Sequence, residues 1–288
     1  MNIGLIPQKW ANLTPEKTAI FDSANDKRIT FSELDLYVNK IANGLLSLGL
    51  KKGDCVGIVS RNSIEHLAIF YACGRSGLIA QPMNWRLSST ELVKIINNGS
   101  PRAVISEAFF KDLIRNVQKE NDTVQHWLEY GESGDGSFES LVESHAEDEP
   151  SVCKEVGGED SFFILYTGGT TGESKGALHS HRSVWFGMQN QTVAERIVPS
   201  DVYMLTGQMF HIPVVLAMNY HAHGCPLVLM NFDPKLALDL IATERVSAFL
   251  GVTTMLNWMM ATENFSSYDL SSLRNIQYGG GPMPTRVI

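Results

Sequence analysis

Long apolar runs are missing from this chain of 288 residues: no stretch of 18 consecutive apolar side chains occurs, which excludes an integral membrane span. Cysteine is scarce. Cys55, Cys73, Cys153 and Cys225 lie too far apart in sequence for a zinc-type pair or a dense disulfide pattern, so a reducing, cytoplasmic setting is expected. A basic track is also absent, and 31 acidic against 23 basic residues leave a net charge of -8, which argues against a nucleic-acid partner. The sequence shows no internal repeat and no heptad pattern. What is present is an apolar fraction of 44% with 19% charged residues, a composition that can bury a large core.

The hydrophobic periodicity alternates between strand and helix. Residues 18–21 and 28–31 predict a hairpin, after which Ser32 is expected to cap a helix carrying Leu34, Val38, Ile41, Ala42 and Leu45, stopped by Gly49. Residues 55–59, 79–82 and 103–106 read as strands, with helices over 63–74 and 91–97. Residues 129–159 are rich in Gly, Pro and acidic side chains and read as a surface connection, onto whose parent body Phe138 and Leu141 can dock. Strands over 203–205, 226–230 and 248–252 then alternate with helices over 236–244 and 253–261. The pattern is that of an α/β layered fold.

One segment asks for a chemical explanation. The apolar run Phe162-Phe163-Ile164-Leu165-Tyr166 predicts a buried strand, followed at once by Thr167, Gly168, Gly169, Thr170, Thr171, Gly172, Glu173, Ser174 and Lys175, with a helix expected over 179–193. Glycines expose peptide N-H groups, hydroxyls add donors, and Lys175 adds one mobile cation, a combination suited to phosphate oxygens. The spacing is neither that of the Gly-Lys-Ser/Thr phosphate loop nor that of the dinucleotide fingerprint. On composition alone an exposed Gly/Thr turn explains the run equally well.

Three further segments occur in order around it: Gln81-Pro82-Met83-Asn84-Trp85-Arg86-Leu87, Met209-Phe210-His211, and Leu270 to Arg274 leading into Gly279-Gly280-Gly281-Pro282-Met283-Pro284. Together with 165–176 they resemble the AMP-forming adenylating superfamily, which includes acyl-CoA and aryl-CoA ligases, luciferases and peptide-synthetase adenylation domains. The match runs from about Pro15 to the last residue, with Gly168 where the family often has Ser and Ser174 where it commonly has Pro.

The resemblance implies layered helices and mixed β-sheets of an acyl-adenylating N-terminal lobe, with a first subdomain at 1–195 and an incomplete second one at 196–288. It implies ATP with Mg2+, a carboxylic or fatty acid, and CoA as co-substrate, the ion being held by phosphate oxygens and water rather than by a protein cluster. Thr167, Gly168, Gly169, Thr170, Thr171, Gly172 and Lys175 are then the phosphate-binding residues, and Gly279, Gly280, Gly281 and Pro282 leave room for acyl group and nucleotide. His211, Thr170 and Lys175 are the expected catalytic set. Without the resemblance, His211 reads as a packed or capping histidine, and 279–282 can be a Pro/Gly turn. Arg86 and Glu91 are expected to form a local charge pair. The superfamily continues beyond the segment matched by Ile288 into a mobile C-terminal catalytic domain, so the sequence predicts a fragment truncated before that domain, inactive or severely impaired alone, with homodimerisation as one way to cover an open sheet edge. A non-catalytic nucleotide-binding or scaffold fragment, and an adenylation domain acting on another carboxylic acid, are the alternatives.

Overall fold

The computed structural model describes residues 1–131, 134–167, 174–279 and 281–287. From the N-terminus run helix α1 (Ile6–Leu13), the hairpin β1 (Thr18–Asp22) and β2 (Lys27–Thr30), α2 (Phe31–Ser47), β3 (Cys55–Val59), α3 (Ile64–Ser76), β4 (Ile79–Pro82), α4 (Ser89–Gly99), β5 (Ala103–Glu107), α5 (Lys111–Lys119), β6 (His126–Tyr130) and α6 (Ser137–Glu143). The second half contributes β7 (Ser161–Thr167), β8 (Lys175–Ser180), α7 (His181–Glu195), β9 (Tyr203–Leu205), α8 (Pro213–Ala222), β10 (Leu227–Leu229), α9 (Pro234–Thr243), β11 (Ala248–Leu250), α10 (Thr253–Met260) and β12 (Asn275–Gln277).

These strands form two six-stranded sheets, ordered β12-β11-β9-β10-β1-β2 and β6-β5-β3-β4-β7-β8. Every described pairing is parallel except the hairpins β1–β2 and β7–β8, so the carboxyl ends of the central strands in each sheet share one side. The sheet built from β9 to β12 also takes in β1 and β2, so residues 18–30 pack with 203–277. This is the layered α/β architecture expected from the alternating pattern.

Helix α3 explains how the layers hold together. All its residues except Glu65 are buried, and an all-round apolar helix of this kind can only sit inside a core. Its Tyr71 hydroxyl donates to His221 Nδ1 at 2.9 Å, and His221 Nε2 donates to the Ala19 carbonyl at 2.9 Å, linking α3, α8 and β1. Arg75, fully buried, is satisfied by Asp35, Asn39 and the Gly4 carbonyl. Such a cation is tolerated inside because every face of it finds an acceptor.

Several local expectations are corrected. Helix α2 is capped by Thr30 rather than Ser32: the Thr30 hydroxyl accepts from Glu33 N at 3.2 Å and the Glu33 carboxylate accepts from Thr30 N at 2.7 Å, a reciprocal arrangement that Ser32, already inside the first turn, cannot make. Glu91 closes the equivalent box with Ser88 on α4, so it is not the partner of Arg86, whose guanidinium lies 4.2 Å above the Trp85 ring instead. The described part of 129–159 docks on the body through Phe138 and Leu141, as expected. It contains α6, whose Phe138 is fully buried and packs 5.7 Å from the Tyr130 ring, and Leu141 lies against Gly44 of α2.

Candidate nucleotide and acid site

The strand-loop-helix expected around the Gly/Thr run is in fact a strand-loop-strand-helix. Residues 175–180 pair antiparallel with β7 as an edge strand, in register from Thr167↔Lys175 to Ser161↔Ser180, and α7 begins only after Ser180, whose side chain accepts from Ser183 N. The physical reason is pairing: Lys-Gly-Ala-Leu-His-Ser has modest strand propensity of its own, but β7 offers it an open ladder. The hairpin stem is fixed by two stacks, His179 on Phe163 and His181 on Phe162, each with ring centroids 4.8 Å apart. Burial lowers the pKa of both histidines, that of His181 to about 4, and His181 Nδ1 accepts from Ile3 N at 3.0 Å. His181 is therefore buried and neutral.

At the mouth of this hairpin stand Thr167 and Lys175, both exposed, with the Thr167 hydroxyl 3.5 Å from the Lys175 carbonyl. The expected phosphate-binding residues Gly168, Gly169, Thr170, Thr171 and Gly172, and Gly280 of the later segment, lie outside the described residues. Below the mouth, Tyr166 donates to Asn98 Oδ1 at 2.7 Å, and partial burial pushes its phenol up to about 12. It is a neutral prop between β7 and α4.

β4 runs parallel to β7, so the segment following β4 emerges on the side of the hairpin mouth. There Trp85 stacks on Phe110 at 5.3 Å and meets Phe210 edge-on at 6.2 Å. Phe210 precedes His211 in a tight turn closed by His211 N donating to the Gln208 carbonyl at 3.1 Å. The His211 ring is exposed, and its Nδ1 accepts from Ile212 N at 2.7 Å, which puts a ring proton on Nε2.

The third segment leaves β12, the neighbour of β11. Gly279 and Gly281 are exposed, and a methyl group built on either meets nothing within 4 Å. Thr253, at the start of α10, donates to the Pro282 carbonyl at 2.9 Å, and these residues with Val252 and Thr254 border a cavity of about 300 Å³. Further along α10, Met259 is core, whereas Trp258 is 58% exposed and stacks on Phe232 at 6.4 Å. A larger cleft of about 820 Å³ opens beside Asn62 and Asn231, but its charged lining is partly self-neutralised, Arg61 pairing with Glu107, and none of the motif residues border it.

All three segments thus follow parallel strands at their carboxyl ends, the place where open α/β sheets take ligands. Among the described residues there is no group of three or more His, Cys, Asp or Glu able to hold a metal ion. Sequence reasoning passed over Asn62, Thr253 and Asn98, single polar residues whose partners are distant in the chain.

A model of the AMP-binding enzyme family matches residues 7–288. The chain belongs to that family. It is 32% identical over 292 residues to the long-chain-fatty-acid–CoA ligase FadD13 of Mycobacterium tuberculosis, covering 100% of this chain and 57% of that protein. It is 31% identical to an indoleacetate–CoA ligase of Aromatoleum aromaticum, covering 97% of this chain and 55% of that one. The crystal structure of the N-terminal domain of FACL13 from Mycobacterium tuberculosis superposes with a TM-score of 0.94 at 32% identity, over 100% of this chain and 72% of that one. The fold is therefore that of the N-terminal lobe of an acyl-adenylating enzyme, and the chain spans little more than half the length of the curated relatives it matches.

Proposed function

We propose that this AMP-binding chain supplies the ATP- and acid-binding lobe of a carboxylic-acid–CoA ligase. In that reaction a carboxylate oxygen attacks the α-phosphorus of ATP, the bond to pyrophosphate breaks, and acyl-adenylate forms; the thiol of CoA then attacks the acyl carbonyl and AMP leaves. The observation that supports the reading is that Thr167 and Lys175, the exposed register pair flanking the Gly/Thr run, belong to the sheet in which Trp85 follows β4 and meets Phe210, the neighbour of His211.

Lys175 in this reading holds terminal phosphate oxygens as a fixed positive charge, and Thr167 with the residues of 168–172 donates to them. His211, donating from Nε2, orients the acid carboxylate. Gly279, Gly281 and Pro282 give the acyl and adenine groups close access to backbone. Mg2+, when bound, would neutralise phosphate charge. Fatty and aromatic acids are both candidate substrates, given relatives named for each.

The test is to incubate the purified chain with ATP, Mg2+ and a panel of aliphatic and aromatic acids, following pyrophosphate and AMP, and to titrate ATP and acid by calorimetry. ATP binding with acid-dependent pyrophosphate release supports the ligase reading. Binding of ATP and acid without turnover would still fit a lobe impaired alone, ATP binding with no acid binding would reduce it to a nucleotide-binding lobe, and no ATP binding at all would overturn the reading.

A further inference from the structure

The turn that presents His211 is held from the other sheet by one side chain. Asn62 lies in the loop after β3, 2% exposed, and each polar atom of its carboxamide is used. Its Nδ2 donates to the Gly207 carbonyl at 2.8 Å and to the Met230 carbonyl at 2.9 Å, while its Oδ1 accepts from Met209 N at 2.9 Å. Gly207 follows β9 and Met230 follows β10, so one amide joins the carboxyl end of β3 to those of two strands in the opposite sheet.

Asn62 is itself fixed. Its neighbour Arg61 is anchored to Glu107 through both backbone and guanidinium, and Ser63 caps α3 while contacting the Tyr130 hydroxyl at 3.1 Å. On the far side, Gly207 packs so closely on Pro213 that a methyl group there would sit 2.4 Å from its ring, closing the other end of the turn. Only a planar group with two donors and one acceptor at this reach satisfies all three partners: Asp lacks the donors, Ser lacks the reach, and Gln adds a methylene to a packed site.

We infer that Asn62 is a positioning residue that sets the His211 turn against the hairpin mouth by bolting the two sheets together at their carboxyl ends. It touches no substrate; it acts through the Met209 amide and, one hydrogen bond further, through the Gln208 carbonyl that closes on His211. The catalytic consequence rests on the proposed role of His211, whereas the structural one does not.

Two measurements separate these. Amide hydrogen exchange on the purified chain reads the bolt without any reaction: in Asn62→Ala the Met209 amide exchanges about tenfold faster or more, the loss expected for one hydrogen bond, while Met204 in β9 is unchanged. Asn62→Ser, polar but too short to reach Met209 N, is expected to give the same faster exchange and decides the matter if the alanine variant does not fold. Unaltered Met209 exchange in Asn62→Ala overturns the inference. The second measurement is a double-mutant cycle on acid-dependent pyrophosphate release. Asn62→Ala lowers kcat/KM for the acid about tenfold with ATP affinity unchanged, but by less than about twofold in a His211→Ala background. An equal loss in both backgrounds shows that Asn62 does not act through His211. A wild-type chain without acid-dependent release leaves the exchange measurement to decide the inference alone.

Discussion

Thr167 and Lys175 are the last register pair of the β7–β8 hairpin, so the residues on either side of the Gly/Thr tip are held face to face by the sheet rather than by the tip. Lys175 is exposed, and no ion pair involving it occurs among the described residues.

Removing that cation should therefore cost binding and not folding. Lys175→Ala is expected to weaken ATP affinity about tenfold to a hundredfold, the equivalent of ~1.5–3 kcal/mol for a hydrogen bond to a charged group, with the melting temperature unchanged. Calorimetric titration of ATP against both proteins checks it. Equal affinities would remove Lys175 from the phosphate site.

Burial makes a second prediction that concerns the whole fold. His66, His181 and His221 are each held neutral by desolvation, with pKa values lowered from 6.5 to about 4. Between about 4 and 6.5 the unfolded chain binds protons at these positions that the native state does not, so stability is complete above about 6.5 and falls as pH drops through this window. Glu65, raised by burial, opposes the trend with a single group; the lowered carboxylates Asp160 and Asp201 act below their ordinary 3.8. Urea midpoints measured from pH 4.5 to 7.5 should rise and then level off. A flat profile would show that these rings are hydrated in the native state.

How much of this was legible in the sequence depends on whether local pattern or distant pairing made each element. β7 announced itself as five apolar residues in a row, and α2 as a clean amphipathic period, because both satisfy their environment through their own side chains. β8 did not, since Gly176 and Ala177 have poor strand propensity and the strand exists because β7 offers a partner. α8 was hidden for the opposite reason: Val214, Ala217, Met218 and Tyr220 are all buried, so no polar face marks a helical period. The motif segments were readable as chemistry, but Asn62 was one amide among many until the carbonyls of Gly207 and Met230 were seen to converge on it.

Phe138 shows the same distinction in energetic form. It sits in a stretch of Gly and acidic residues that reads as a surface connection, yet it is fully buried against Tyr130 and the central core. Phe138→Ala should destabilise the chain by about 3–5 kcal/mol, the usual cost of emptying an aromatic core site. A loss under about 1 kcal/mol in urea unfolding would mean that α6 docks loosely.

The glycines after β12 offer the sharpest separation of fold from function. A methyl group added at Gly281 meets open space. Gly281→Val therefore has no folding reason to be harmful, and its melting temperature should stay within about 2 °C of the wild type, as expected for a surface change within ±0.5 kcal/mol. If acyl and adenine groups occupy the cavity beside Thr253 and Pro282, however, the branched side chain displaces them, and ATP affinity and acid-dependent pyrophosphate release should both fall about tenfold or more. A variant as active as the wild type would move the acyl site away from residues 279–282, because a glycine that tolerates valine in both folding and turnover is not making room for anything.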